Sequence, residues 1–397
     1  MVVASTRNSS SVQAARDCVA SLGDVAPTLL LVFCGGKHDP NAIRDTLAAA
    51  FGDVAIVGGS AAGTICAGGC GYSGLELTVA AFTNPVSTPV LIPAADLLAG
   101  EEAAGAELGA RIATVATDDA IVLLLYDNVL SGQPLQLHSA SRILDGLQGA
   151  LGERRVSVIG GGLLTDMNLS DGWVFTGSGV SRHVAIALVF PPVVRATTVV
   201  LHGCRPASTF MEITRIEGAE VFELDGEPAL SVIERILDLP LGGSGGHDLT
   251  LVATLGEKQG DPYLPYNENF YVNRLIVTSD RDRGSVTLFE QDFKLGSKVQ
   301  IMARDNSLML QSVRDGVIAV SKPPIGHTGL LNIYIDCAGR ASARSGAESE
   351  EAELVARGLD SATPLIGFYS GVEIAPFDGY SRPLDWTAVL TSLSVIQ

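Results

Sequence analysis

Several features are scarce in this chain of 397 residues, and each scarcity excludes a class of protein. Six cysteines, at positions 18, 34, 66, 70, 204 and 337, are too few and too scattered for a disulfide-stabilised scaffold. No uninterrupted apolar stretch reaches about 18 residues, so a membrane-spanning helix is not expected. The first residues lack the apolar core of a secretory signal, and we therefore expect a cytoplasmic protein.

Positive charge is also scarce. The chain has 26 Lys and Arg residues against 44 Asp and Glu residues, a net charge of -18, which disfavours binding to nucleic acid or to an anionic membrane. Apolar residues are abundant, at 47%, and charged residues make up 18%. This composition is typical of a globular protein with a sizeable core, and the length predicts two domains.

Two stretches of the N-terminal half have the same order of predicted elements. In residues 28–85 a buried strand is followed by a helix with Asp39 as its N-cap, a second strand, a glycine-rich turn and a third strand. The order recurs in residues 119–191, as after an internal duplication. We predict an internally duplicated α/β domain over residues 28–218, after an N-terminal segment of residues 1–27, with a ligand cleft between its halves.

The pattern changes after residue 218. A helix is predicted to begin near Pro228, and short strands separated by turns follow it. One helical stretch, residues 348–359, interrupts these strands. The expected C-terminal domain, residues 219–397, is therefore strand-rich and of the α+β class.

The first glycine-rich turn, AIVGGSAAGTICAGGCGYSG, occupies residues 55–74. It is not a P-loop, because no lysine follows the glycines. It is not a dinucleotide fingerprint either, because Ser60 stands where the second glycine belongs and no helix is predicted after it. Tight turns beside a buried strand are the favoured interpretation, and contact between a ligand and backbone N–H groups is the alternative.

Polar residues at strand ends are further candidates. Asp127 ends a predicted strand, and α/β proteins bind ligands at the carboxyl ends of their strands. The alternative is that Asp127 forms an Asx turn. Cys337 beside Arg340 has the setting of a reactive thiol with a lowered pKa, and a buried, inert thiol is the alternative. Arginines that converge with Glu373 would clamp a carboxylate or an amino acid, and separate ion pairs are the alternative.

The candidate ligand-binding residues thus comprise two glycine turns and several strand ends. They are Gly58, Gly59, Ser60, Gly63, Asp127, Gly160, Gly161, Arg304, Cys337, Arg340 and Glu373. The histidines show no metal-binding spacing, so no metal site is expected. A lone histidine can hold haem, and His38, at a strand-to-helix junction, is the candidate if haem binds. No ordered set of Ser, His and Asp is present, and no catalytic residue is predicted.

Six phrases, in this order, resemble the FIST family with its FIST N and FIST C domains. They are IVGGSAAGTI, GCRPAS, FELDGEPALSVI, GSKVQIMARD, DCAGR and GFYSGVEIAPF. The resemblance runs from about residue 28 to about residue 395. One departure lies in PLDWTAVL, where Leu384 and Asp385 replace a pattern in which relatives tend to have His or Asn.

The resemblance implies a non-catalytic sensory protein of intracellular signal transduction. Such a protein would bind a small molecule, for example an amino acid, and act on a separate partner such as a histidine kinase. Two alternatives are a haem-binding nitric-oxide sensor of the same family and an interaction scaffold.

Overall fold

The computed structural model describes residues 1–133, 135–240, 253–377 and 380–396. Within these ranges, three α/β units with the same strand order surround a shared core, and an antiparallel β-barrel is inserted into the third unit. The expectation of a mixed α/β protein with a strand-rich C-terminal part is confirmed in this coarse form.

The first unit begins at the N-terminus, so residues 1–27 form part of it. Its elements are β1 (Val2–Thr6), α1 (Ser11–Leu22), β2 (Leu29–Gly35), α2 (Pro40–Phe51), β3 (Ala55–Ala61), β4 (Thr64–Cys66), β5 (Gly69–Gly71) and β6 (Leu77–Phe82). Asp39 caps α2 as predicted, because its carboxylate accepts the N–H groups of Asn41 and Ala42. The sheet runs β1-β6-β2-β3, with β2 and β3 parallel.

The second unit repeats this order. Its elements are β7 (Val90–Asp96), α3 (Glu101–Val115), β8 (Ala120–Asp127), β9 (Val129–Gly132), β10 (Leu135–Leu137), α4 (Ala140–Leu151), β11 (Val156–Leu163), β12 (Val174–Gly177), β13 (Val180–Ser181) and β14 (Val184–Val189). The sheet runs β7-β14-β8-β11, with β8 and β11 parallel, so it matches the first sheet strand for strand. Strands β9 and β10 form a separate hairpin.

A third unit of this kind, which the sequence analysis did not identify, begins with β15 (Val194–Leu201) and resumes after the barrel. Its sheet has four main strands, and the neighbouring strands of residues 327–337 and 365–370 are the parallel pair. The 15-residue helix Asn306–Val320, with which this unit resumes after the barrel, was also not predicted.

The barrel lies between β15 and the rest of the third unit. Its elements are β16 (Arg205–Pro206), β17 (Met211–Glu217), β18 (Glu220–Leu224), β19 (Glu227–Pro228), α5 (Ala229–Leu237), β20 (Ala253–Lys258), β21 (Tyr271–Asp280), β22 (Ser285–Leu288) and β23 (Lys298–Ala303). Six of these strands pair in the ring β17-β18-β22-β21-β20-β23, which closes when β23 pairs with β17. The domain boundary predicted at residue 218 falls between β17 and β18, inside this barrel.

The remaining elements complete the third unit. They are α6 (Asn306–Val320), β24 (His327–Cys337), α7 (Ser342–Ser345), α8 (Glu351–Gly358), β25 (Leu365–Ser370), β26 (Glu373–Phe377), β27 (Tyr380–Leu384) and β28 (Ala388–Ile396). The sheet order is β15-β28-β24-β25.

Each unit extends a hairpin into the sheet of another unit. Hairpin β4–β5 of the first unit pairs with β25, β12–β13 of the second pairs with β3, and β26–β27 of the third pairs with β11. These three hairpin contacts form a closed cycle among the units. Separating any unit from the other two would therefore break β-sheet hydrogen bonds.

Glycines of the second parallel strand of each unit permit a close approach to the backbone of the first parallel strand. Gly58 and Gly160 have φ values of 119° and 155°, a backbone conformation that favours glycine. A Cβ atom at Gly58, Gly160 or Gly367 would collide with a carbonyl oxygen of the neighbouring parallel strand. The three oxygens belong to Val32, Leu124 and Tyr334.

The three sheets share an inner core and bear helices outside. Phe33, Leu125 and Ile335, from the first parallel strand of each unit, belong to one hydrophobic cluster. The helix pairs α1–α2, α3–α4 and α6–α8 cover the outer faces in three further clusters. No helix in the described part of the chain is long and apolar enough to cross a membrane.

Candidate functional site

A cavity of about 260 Å³ lies at the carboxyl ends of the parallel strands β24 and β25. The third unit, the barrel and the segment after β11 all contribute to its lining. Its apolar side includes Leu275, Phe289 and Trp386, and its polar side includes Cys337, Ser370 and Arg344. Carboxyl ends of parallel strands are where α/β proteins bind ligands. The volume is below the range of about 300–1,000 Å³ for drug-sized ligands, so the cavity suits a small metabolite.

A buried carboxyl group lies behind Ser370. The Ser370 hydroxyl lies 2.6 Å from Oε1 of Glu373, to which it donates. Glu373 is fully buried, and its Oε2 atom has no hydrogen-bond partner among the described residues. Burial raises the pKa of Glu373 well above its ordinary value, and Asp385 raises it further. Burial thus favours the neutral form of Glu373.

Asp385 connects the cavity to the barrel. Its Oδ2 atom accepts the backbone N–H of Leu275 at 3.0 Å, and its Oδ1 atom lies 4.0 Å from the guanidinium of Arg274. Burial raises the pKa of Asp385 to about 7, although Arg274 opposes the shift. The protonation of Asp385 is thus coupled to the contact between the barrel and the third unit.

Arg340 binds other parts of the protein rather than the cavity. Its guanidinium donates to both carboxyl oxygens of Glu351, at 2.7 and 2.6 Å, and lies 3.4 Å from Asp336. It also donates to the carbonyl groups of His202 and Trp386. Since all of these groups are buried, Arg340 connects the end of β24 with α8 and with the segments that precede the barrel and β28.

The interpretation of Cys337 as a thiol with a lowered pKa is wrong. Burial raises the pKa of Cys337 well above its ordinary value, and the nearby Glu373 raises it further. Arg340 cannot reverse this effect because its charge is balanced by Glu351 and Asp336. Cys337 lines the cavity as a neutral thiol.

Two further candidates pack behind residues that line the cavity. The guanidinium carbon of Arg304 lies 3.9 Å from the centre of the Trp386 ring, a cation–π contact. Gly161 lies so close to Ser370 that an added Cβ would approach the Ser370 Cβ at 3.2 Å. Both residues support the walls of the cavity.

The candidates from the first glycine turn lie where the units meet, away from this cavity. Ser60 accepts the backbone N–H of Trp173 at 3.0 Å through its hydroxyl. Side chains larger than hydrogen at Gly59 or Gly63 would collide with neighbouring strands and loops. Gly58 and Gly160 pack against the neighbouring parallel strand of their own sheet, and all of these residues are buried.

Asp127 forms the Asx turn, the structural one of its two interpretations. Its Oδ1 atom accepts the N–H of Val129 at 3.4 Å, and its Oδ2 atom accepts the N–H of His183 at 2.8 Å. The ring of His183 lies 3.2 Å from that of His138, which in turn lies 3.1 Å from Glu101. Asp127 thereby joins a polar network that crosses the second unit.

The surroundings of His38 do not fit haem. The ring nitrogens of His38 lie 3.2 Å from the hydroxyl of Ser11 and 3.0 Å from the carbonyl of Leu75. A haem iron needs one ring nitrogen facing an apolar pocket. In the described ranges, no cluster of three or more His, Cys, Asp or Glu residues is arranged to hold a metal ion.

Sequence reasoning missed Ser370, Trp386 and Arg344 as residues of the site. Ser370 ends the strand in PLIGFYS and could have been found by aligning this phrase with VAIVGGSA. Arg344 donates to the Asn168 side chain at 2.7 Å and to the carbonyl of Met167, a link to the second unit that no local pattern predicts.

A second cavity, of about 380 Å³, lies between α4, the barrel and the β26–β27 hairpin. Three of its charged residues pair with one another: Arg382 binds Asp292 at 2.6 Å and Glu257 at 3.4 Å. We therefore place the candidate site at the smaller cavity, where Glu373 has a carboxyl oxygen with no such partner.

Comparisons with known proteins identify both halves of the chain. The profile of the FIST N domain matches residues 28–227, and that of the FIST C domain matches residues 229–376. An uncharacterized protein of Mycobacterium tuberculosis is 28% identical over 206 residues, which cover 50% of each chain. One of Mycobacterium bovis is 24% identical over 236 residues, 58% of this chain and 59% of its own. The matches span only about half of the length of these curated relatives.

Among solved structures, cyanuric acid hydrolase from A. caulinodans aligns over 100% of this chain and 99% of its own. The sequence identity is 10% and the TM-score 0.37, so this likeness carries no argument about fold or function.

Proposed function

Because this chain belongs to the FIST family, we propose that it is a non-catalytic sensory protein of intracellular signal transduction. It binds a small ligand, such as an amino acid, and acts on a separate partner, such as a histidine kinase. The observation that carries this proposal is the cavity between the third unit, the barrel and the segment after β11. A ligand there contacts three separate parts of the fold and stabilises one arrangement of them, as a signal requires.

The lining offers a partner for the carboxylate and for the amine of an amino acid. Arg344 at the cavity supplies a cation for a carboxylate. Ser370, backed by Glu373, supplies an acceptor for an amine. The apolar residues Leu275 and Phe289 offer surface to an aliphatic or aromatic side chain.

A thermal-shift screen tests the proposal. The probes are the twenty common amino acids together with short amines and carboxylates, and at least one should raise the melting temperature by a few degrees. Met167→Trp places a larger side chain at the half-buried wall of the cavity and should abolish the shift. Val86→Trp, at a position that is 62% exposed, is the matched control and should retain it.

Two results would count against the proposal. One is a folded protein that no probe stabilises. The other is chemical conversion of the bound probe, which one-dimensional NMR would detect. A sensory protein releases its ligand unchanged.

A further inference from the structure

Glu373 is a buried carboxyl group without a counter-charge. Its Oε1 atom accepts the Ser370 hydroxyl, while no hydrogen bond reaches Oε2 and no ion pair reaches the carboxyl group within the described ranges. Ser370 itself lines the cavity. A ligand that hydrogen-bonds to Ser370 in the cavity is therefore linked to Glu373 through that hydroxyl group.

The buried guanidinium groups of the third unit and the barrel have carboxyl partners of their own. Two of these guanidinium groups each lie within 4.0 Å of two carboxyl groups other than Glu373. The groups are Arg340 with Glu351 and Asp336, and Arg274 with Asp292 and Asp385. A cation on a bound ligand would therefore supply the ion-pair partner that a carboxylate at Glu373 lacks among the described residues.

We propose that the cavity takes a ligand with a primary ammonium group at Ser370 and Glu373, and that binding releases the proton of Glu373 to solvent. This inference rests on the proposed function of the cavity as a ligand site. An N–H of the ammonium group donates to the Ser370 oxygen, and the Ser370 hydroxyl donates to Glu373. The carbon chain of the ligand contacts Leu275, Phe289 and Trp386.

The proton balance of binding is simple. The O–H bond of the Glu373 carboxyl group breaks, and the proton passes to water. The ammonium group keeps its three hydrogens, and its charge balances the new carboxylate. No bond of the ligand forms or breaks. Because protons compete with the ligand for the same carboxylate, the affinity for amines should rise with pH.

Among the residues that the structure describes, four other titratable groups lie near Glu373. Arg340 lowers the pKa of Glu373, and Asp385 raises it. Burial raises the pKa values of Tyr126 and Cys337 well above their ordinary values, so both stay neutral near pH 7. Asp385, with a pKa raised to about 7, is the group among these four that could release a proton in place of Glu373.

Isothermal titration calorimetry with three probes of one carbon skeleton tests the inference. The probes are n-butylamine, n-butanol and n-butyrate, each titrated at pH 7 in phosphate and in MOPS, which differ in ionisation enthalpy. We expect n-butylamine to bind at least about tenfold more tightly than the others, with release of close to one proton. Glu373→Gln should abolish the release and weaken binding about 10- to 100-fold. Asp385→Asn, the control, should keep the release.

The outcomes separate this inference from the proposed function. Binding of n-butylamine without proton release, release that Asp385→Asn abolishes, or preference for n-butyrate would overturn the inference and leave the cavity as a ligand site. Binding of other screened compounds but not of n-butylamine would do the same. If no compound binds the folded protein, the proposed function fails together with the inference.

Discussion

The second and third units place different chemistry at the same point of the same sheet. Asp127 ends β8 and Cys337 ends β24, and each stands opposite the last residue of its parallel partner strand. His183 and Trp386 both lie just before the final strand of their unit with a φ of 52°. In the second unit a hydrogen-bonded network fills this point, whereas in the third unit a thiol and an indole border a cavity.

This difference shows that the two units share their backbone architecture but not the chemistry of their strand ends. Gly160 and Gly367 occupy matching positions in the two units and pack against the same kind of carbonyl group. The glycine-rich phrases therefore mark how the two parallel strands of a sheet pack, and the residues at the strand ends determine whether a ligand has room. The family signature alone does not locate the site.

Removal of a buried cation should have the largest effect, and only in the third unit. Arg340→Gln leaves Glu351 and Asp336 buried without their cation, at a cost of about 3–5 kcal/mol in the free energy of unfolding. Arg182 of the second unit lies 2.9 Å from Asp171 and 3.8 Å from the buried Asp127, but its own side chain is 45% exposed. Arg182→Gln should therefore cost less than about 1 kcal/mol. Urea denaturation measures both, and equal losses would contradict the assignment of Arg340 as a buried support.

Substitution of the matching glycines should have the next largest effect, and the same one in both units. Gly160→Ala and Gly367→Ala each force a methyl group against a backbone carbonyl and should cost about 2–3 kcal/mol. Gly149, on helix α4, has no atom within 4 Å of an added Cβ. Gly149→Ala should therefore stabilise the protein, by about 0.5–1 kcal/mol. A cost at only one of the two strand positions would show that the units pack differently.

Local patterns in the sequence predict the local parts of this fold well. The strand, helix and strand order near Asp39 follows from the apolar spacing and the cap, and both are present. The third unit escaped detection because the barrel separates β15 from α6 and because Phe368 and Tyr369 replace glycine and serine of the first turn. The cavity escaped detection for a different reason. Its walls come from residues more than 100 positions apart, such as Met167, Leu275 and Trp386, which only the packing of the units brings together.

The strand ends should also respond to pH with opposite signs, the smallest of these effects. At the third unit, burial raises the pKa of Asp385 to about 7, above the value of about 3.9 in the unfolded chain. Between pH 4 and pH 7 the folded state holds more protons there, so this contribution to stability is lost as the pH rises. Asp385→Asn should therefore stabilise the protein at pH 6.5 by about 1–2 kcal/mol more than at pH 5.

At the second unit the sign reverses. Burial lowers the pKa of His138, although Glu101 opposes the shift. The unfolded state then binds more protons just below the ordinary histidine pKa of about 6.5, so stability is lost as the pH falls through this range. His138→Gln should flatten the dependence between pH 5 and pH 7, whereas Asp385→Asn should steepen its rise with pH. Melting temperatures of the unsubstituted protein and of both variants across this range give the change in slope that each substitution causes. Changes of the same sign would refute the contrast between the units.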